Sequence, residues 1–134
     1  MEPNFDDGEY LIIDELTYQF REPQRGEVIV FRYPLNPSNF FIKRIVGLSG
    51  ESVNIKSGKI SIDGELLAEP YIDSKLETAP EIDITLKDGE YFVLGDNRTH
   101  SSDSRFWGAL PKDKIMGRAL VRLWPINKVG ILYE

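Results

Sequence analysis

A chain of 134 residues that is 41% hydrophobic and 28% charged is sized for one domain with a real core. Its formal net charge of -6, with Lys and Arg scattered along the chain, argues against a nucleic-acid surface. It has no cysteine and a single histidine, His100, which excludes disulfides, thiolate metal sites and histidine-rich metal sites, and no apolar run approaches bilayer-spanning length.

The opening Met1-Glu2-Pro3-Asn4 has neither the basic segment nor the apolar run of an export signal. After the turn signal Asp6-Asp7-Gly8, the apolar Tyr10, Leu11, Ile12 and Ile13 predict a buried strand over 9–16, which 17–20 extends or pairs back on. The polar segment 21–26, with Pro23, interrupts the pattern, and β-branched residues resume it over 27–33. Pro34 and Pro37 enclose a loop that leads into a strand over 40–47. Ser57-Gly58 and Asp63-Gly64 are hairpin signals and predict a meander of strands 53–56, 59–62 and 66–67. Residues 68–80 are polar and read as a surface loop; Ile82 and Ile84 alternate in a further strand, and Tyr91-Phe92-Val93-Leu94 form a buried one. Helical periodicity is almost absent, the one candidate being a turn over 111–115 opened by Pro111, before strands over 119–124 and 129–133. The expected fold is mainly β, a folded antiparallel sheet or barrel of short strands with at most one short helical turn. It forms a single domain over 1–134 with a meander and loop insertion over 52–90.

The strand Phe40-Phe41-Ile42-Lys43-Arg44-Ile45-Val46-Gly47 is apolar on both faces yet carries two cations at its centre. Alternation puts Phe41, Lys43 and Ile45 on one face and Phe40, Ile42, Arg44 and Val46 on the other, so whichever face is core takes one cation inside. Arginine keeps its proton and needs a carboxylate, whereas a desolvated lysine can become a neutral amine, a general base at physiological pH. On these residues alone, an edge strand whose cations reach water is the competing account.

A second cluster, Gly95-Asp96-Asn97-Arg98-Thr99-His100-Ser101-Ser102-Asp103-Ser104-Arg105, follows a buried strand and precedes Phe106-Trp107-Gly108. It offers two acid-to-arginine pairings of the kind that pin a loop where water is partly excluded. Asp, Asn and Ser suit an ordinary surface turn equally.

Taken in order, these motifs resemble those of the type I signal peptidases, membrane-bound serine endopeptidases that remove signal sequences from exported proteins by a Ser-Lys dyad. The resemblance runs through Met1-Glu2-Pro3, Arg25-Gly26-Glu27-Val28-Ile29-Val30-Phe31, Ile42-Lys43-Arg44-Ile45-Val46-Gly47 and the 95–105 loop, then Trp107-Gly108, Pro111, Gly117-Arg118-Ala119 and Trp124. It implies Lys43 as the general base, the residue that strand alternation also singles out. It implies Ser101 as the hydroxyl that orients the lysine, with Asp103 and Arg105 as a structural pair holding the loop. Met1, Phe5, Leu11, Val30, Phe41 and Ile42 fall where the family lines pockets for small substrate side chains, although plain core packing explains each of them as well. No metal or organic cofactor is implied. The implied partners are signal peptides of exported preproteins and a membrane surface, the latter met by an apolar patch around Phe5, Phe41 and Trp124, although plain core packing explains Trp124 equally. The implied location is the extracytoplasmic face of the plasma membrane.

Two departures stand out. Ser49 occupies a position where the family commonly has proline, but Gly47-Leu48-Ser49-Gly50 lacks the glycine spacing, strand-to-helix turn and histidine partner of a nucleophile elbow. The family's nucleophile is the residue immediately before the methionine that matches Met1, so the expectation is a catalytic domain without its serine and its membrane anchor, inactive as it stands. Two other readings compete: a self-cleaving Ser-Lys repressor-type protease, against which the complete 95–105 motif and the absence of a DNA-binding segment speak, and a non-catalytic peptide-binding or assembly module.

Overall fold

The computed structural model describes residues 10–70, 72, 77–124 and 130–131, without the side chains of 10, 11, 121–124, 130 and 131. The strands are β1 (Tyr10–Asp14), β2 (Val28–Tyr33), β3 (Asn36–Gly47), β4 (Ser52–Lys56), β5 (Lys59–Ile62), β6 (Glu65–Leu66), β7 (Ile82–Thr85), β8 (Glu90–Leu94), β9 (Leu110–Pro111), β10 (Ile115–Trp124) and β11 (Gly130–Ile131). The larger sheet runs β1-β10-β2-β3-β8-β9 with β11 beside β10, and the smaller runs β6-β5-β4-β7. The pairings are antiparallel in both. The fold is mainly β, as the short strands and frequent turns predict.

Local chemistry sets the turns. Ser57 and Gly58 (φ 53° and 78°) join β4 to β5, and Asp63 and Gly64 (φ 50° and 88°) join β5 to β6. Paired positive φ values suit the right-handed twist of a two-residue hairpin, which is why these dipeptides are strong signals. Between β2 and β3 the loop expected from Pro34 to Pro37 is shorter. Tyr33 already pairs with Asn36, and Arg32 Nη1 donates to the Pro37 carbonyl at 3.0 Å, so the strand begins before that proline.

Helical structure is confined to single turns among the described residues. The extension expected over 17–20 is instead a 3-10 turn, Thr17–Gln19, because Asp14 Oδ1 accepts the N–H groups of Leu16 and Thr17 and turns the chain. Pro111 precedes a second 3-10 turn, Lys112–Lys114. The one α-helical turn, α1 (Ser104–Trp107), is capped by Asp103, whose carboxylate accepts the Arg105 N–H at 3.2 Å. No helix among the described residues is long and apolar enough to cross a membrane.

Two apolar clusters share the β3–β8 pair. Val46, Phe92 and Leu94 pack with Val53, Ile55, Ile60, Ile62 and Leu86 of the smaller sheet and its flank, whereas Ile45, Tyr91 and Val93 pack with Ile29, Phe31 and Leu110. This double burial accounts for apolar Ile45 and Val46 on opposite faces of the strand, whereas Phe41 and Ile42 are half-buried and Phe40 is exposed. Where the sheets meet, a Cβ on Gly47 would lie 2.6 Å from Val53 Cγ2 and 3.0 Å from both Leu86 Cδ1 and Phe92 Cβ. Gly47→Ala should therefore lower stability by about 1–3 kcal/mol through overpacking, seen as a lower urea midpoint with an unchanged slope.

Candidate active site

The two central cations of β3 are solved differently. Arg44, on one face, is buried, and its guanidinium donates from Nε and Nη2 to both carboxylate oxygens of Asp96 at 2.9 and 2.8 Å, and from Nη1 to the Gly26 carbonyl at 3.0 Å. Asp96 itself is fully buried. Lys43, on the opposite face, is half-buried rather than fully enclosed, and its Nζ donates to Ser101 Oγ at 2.8 Å. The amine also stands 5.5 Å from the centre of the Phe41 ring.

The register explains how the 95–105 loop reaches both faces. Strand β8 ends with Leu94 opposite Arg44, so the chain leaves the sheet beside Lys43. Asp96 turns to one side of β3 and Ser101 to the other. Gly95 must lie close beneath Ser101: a Cβ there would come within 2.6 Å of Ser101 Cβ, on top of its hydroxyl, and 3.4 Å from Lys43 Nζ. The hydroxyl thus occupies the space that any larger residue at 95 would take.

A second buried pair stiffens the loop. Asp103, fully buried, accepts from Arg105 Nε and Nη2, both at 2.8 Å, and from the Gly95 N–H at 3.1 Å. Arg105 Nη1 goes on to the carbonyls of Arg98 and Ala79 at 2.8 and 2.6 Å. Ser104 Oγ accepts the Val93 N–H at 2.9 Å, tying α1 to β8. Bidentate geometry of this kind fixes orientation as well as charge.

These surroundings set the protonation of Lys43. Burial holds its amine below the ordinary lysine range, and Arg105 pushes in the same direction, while Asp103 and Asp96 oppose them. Neutralising the amine is favoured by the removal of water, and the carboxylates limit how far it goes.

The residues expected to line pockets are less gathered. Phe41 is half-buried on the face of Lys43, stacked on Tyr33 with centroids 4.5 Å apart. Val30 and Ile42 are cross-strand partners on the reverse face, Val30 buried and Ile42 half-buried. Leu11 lies in β1 opposite Arg122, with its side chain outside the description, and Met1 and Phe5 fall outside the described residues altogether. So does the side chain of Trp124, expected with Phe5 and Phe41 in an apolar patch. The large apolar side chains that are exposed include Leu16, Phe20, Leu35, Phe40 and Phe106. Ser49 binds Asp88 and the Gly89 N–H, away from any histidine contact. Sequence reasoning missed Gly95, whose only signal is a glycine at a strand end directly before an acid, and Arg44's partner Asp96.

Comparison with known proteins fits this geometry. A family model described as "Signal peptidase, peptidase S26" matches residues 1–124. The chain is 42% identical to the probable signal peptidase I-2 of Synechocystis over 141 aligned positions, covering 100% of this chain and 63% of that protein. It is 42% identical to the signal peptidase I of Leptolyngbya laminosa, covering 98% and 68%. The crystal structure of a signal peptidase I from Enterococcus faecalis superposes with a TM-score of 0.64 at 31% identity, over 73% of this chain and 97% of that one. The chain therefore spans about two thirds of the length of these two sequence relatives.

Gly95→Ala should displace Ser101 while leaving the sheets intact. A crystal structure of the variant is expected to show the Lys43 Nζ to Ser101 Oγ separation beyond hydrogen-bond reach, about 3.5 Å or more. An unchanged contact would mean that the loop has slack at this point.

Proposed function

Since the chain belongs to the signal peptidase family, peptidase S26, we propose that it is the catalytic part of a serine endopeptidase that removes signal peptides from exported preproteins, with Lys43 as its general base. The observation that carries this reading is the half-buried lysine amine held against a serine hydroxyl, its pKa depressed by desolvation. Ser101 orients the amine, and the Asp103–Arg105 pair holds Ser101 in place. The nucleophile is a serine directly before Met1, the position to which the family motif assigns it.

In this mechanism neutral Lys43 takes the serine proton as the oxygen attacks the carbonyl carbon of the scissile bond. The lysine ammonium then protonates the departing amine, leaving an ester between the serine and the signal peptide. Water, deprotonated by the same amine, releases the peptide. Backbone N–H groups near the nucleophile stabilise the oxyanion. Substrate recognition has a structural support too. Among the described residues, the length of β3 before Arg44 pairs only with β2, which leaves the edge beside Lys43 free for an extended peptide to add as a strand. Pockets lined by Phe41, Ile42, Val30 and the segment around Met1, Phe5 and Leu11 would take small side chains. The site works at the extracytoplasmic face of the plasma membrane.

Activity is tested on the enzyme carrying serine directly before Met1, with one preprotein as substrate. Lys43→Ala should lower kcat/KM by at least about a thousandfold, as expected when one member of a catalytic unit is lost. In the unsubstituted enzyme the acid limb of kcat/KM should lie below the ordinary lysine value of about 10.4, because activity requires the free amine and burial depresses its pKa. Undiminished cleavage by Lys43→Ala would remove the lysine as base.

A further inference from the structure

Residues 68–80, which the sequence presents as a polar surface loop, reach the site through a third buried guanidinium. The Arg98 side chain is fully buried, and its hydrogen bonds join two separate parts of the chain. On one side Nε donates to the Gly95 carbonyl at 2.8 Å. On the other, Nη1 donates to Glu69 Oε1 at 3.0 Å and to Thr78 Oγ1 at 2.9 Å, while Nη2 donates to Glu69 Oε2. Thr78 is itself buried, and its N–H bonds the Gly58 carbonyl at 3.1 Å, so the clamp is anchored to the β4–β5 turn of the smaller sheet.

Gly95 is where this clamp meets the Lys43–Ser101 pair. Its carbonyl is held by Arg98, its N–H by Asp103, and a Cβ on it would collide with Ser101. A guanidinium with both carboxylate oxygens in its fork has one orientation; without them, it can swing and release the carbonyl. We propose that Glu69, assisted by Thr78, is a positioning residue for the Lys43–Ser101 pair, acting through Arg98 and the Gly95 carbonyl. The proposal rests on the reading of Lys43 as base, and it gives the connection between β6 and β7 a part in the reaction: that connection carries the carboxylate that fixes the floor of the site.

The sign of the effect on Lys43 separates positioning from direct electrostatics. The charged groups that act on its amine include Asp103, Arg105 and Asp96. Removing a carboxylate by charge alone can only disfavour the ammonium and lower a lysine pKa further. Loosening the floor does the opposite: Ser101 withdraws, water reaches the amine, and its pKa climbs toward the ordinary lysine value.

The test uses the enzyme carrying serine before Met1 and follows kcat, KM and the pH profile of kcat/KM for Glu69→Ala, Glu69→Gln and Thr78→Val. For Glu69→Ala the acid limb should move to higher pH and kcat should fall by roughly ten- to a hundredfold, the cost typical of a small misplacement of a reacting group, with KM within about twofold. Glu69→Gln, which keeps the acceptor oxygen, should lie between it and the unsubstituted enzyme. Thr78→Val removes one hydroxyl from the clamp and should show a smaller shift of the same sign, so the proposal is testable even where Glu69→Ala folds poorly. An acid limb that stays put or moves to lower pH in these variants overturns the proposal, whatever happens to their thermal stability. Cleavage that persists in Lys43→Ala would instead overturn the reading of the base and leave the clamp as a structural feature.

Discussion

The site depends on keeping water from a lysine amine while holding a hydroxyl against it. An exposed lysine is protonated at neutral pH and is no base; a desolvated one yields its proton, and here burial is the largest influence on Lys43. The folded state consequently binds fewer protons than the unfolded chain between the depressed pKa and the ordinary one. Stability rises with pH across that window, and the penalty for enclosing the ammonium is fully present below it. The fold tolerates this penalty because the amine is only half-enclosed and retains one hydrogen bond, to Ser101.

Three buried arginines surround that arrangement, each fastening the same loop to something different. Arg44 binds Asp96 to β3, Arg105 binds Asp103 within the loop, and Arg98 binds Gly95 to Glu69 and Thr78. Buried ion pairs are poor sources of net stability, since desolvating two charges offsets most of their attraction. What they supply here is direction. Each guanidinium fork accepts one placement of its partner, and together they leave Gly95 and Ser101 little freedom. The apolar clusters on either side of β3 and β8 provide the rigid base to which these forks are attached.

Much of this was legible in the chain. The alternation around Lys43 and Arg44 put one cation inside whichever face is core, and the structure gives Arg44 the carboxylate that an enclosed arginine needs, although the identity of Asp96 depends on a register no local pattern reveals. The hairpins at Ser57-Gly58 and Asp63-Gly64 follow from backbone conformation, which is a local property. The turn α1 was not legible because four residues are too few for helical periodicity; its trace was Asp103 as a capping acid. Residues 17–20 suit a strand extension or a strand pairing back, and Thr17–Gln19 turns instead because Asp14's hydrogen bonds to the Leu16 and Thr17 N–H groups compete with pairing. Glu69 and Thr78 sit in a polar stretch that reads as a solvated loop, and the tertiary contact with Arg98 is what gives them a role. The meeting of Lys43 with Ser101 spans 58 positions, and the sequence pointed to it only by family resemblance.

The central claim is that Lys43 is the general base, its amine held below the ordinary lysine range by burial, and the most direct measurement is its own titration. Selective 13C labelling of lysine, with the Lys43 signal assigned by Lys43→Arg, allows the Cε shift to be followed against pH in the 134-residue chain without reference to cleavage. The account predicts a Lys43 signal that titrates below the ordinary lysine value of about 10.4. A Lys43 signal that titrates at or above that ordinary value would contradict it.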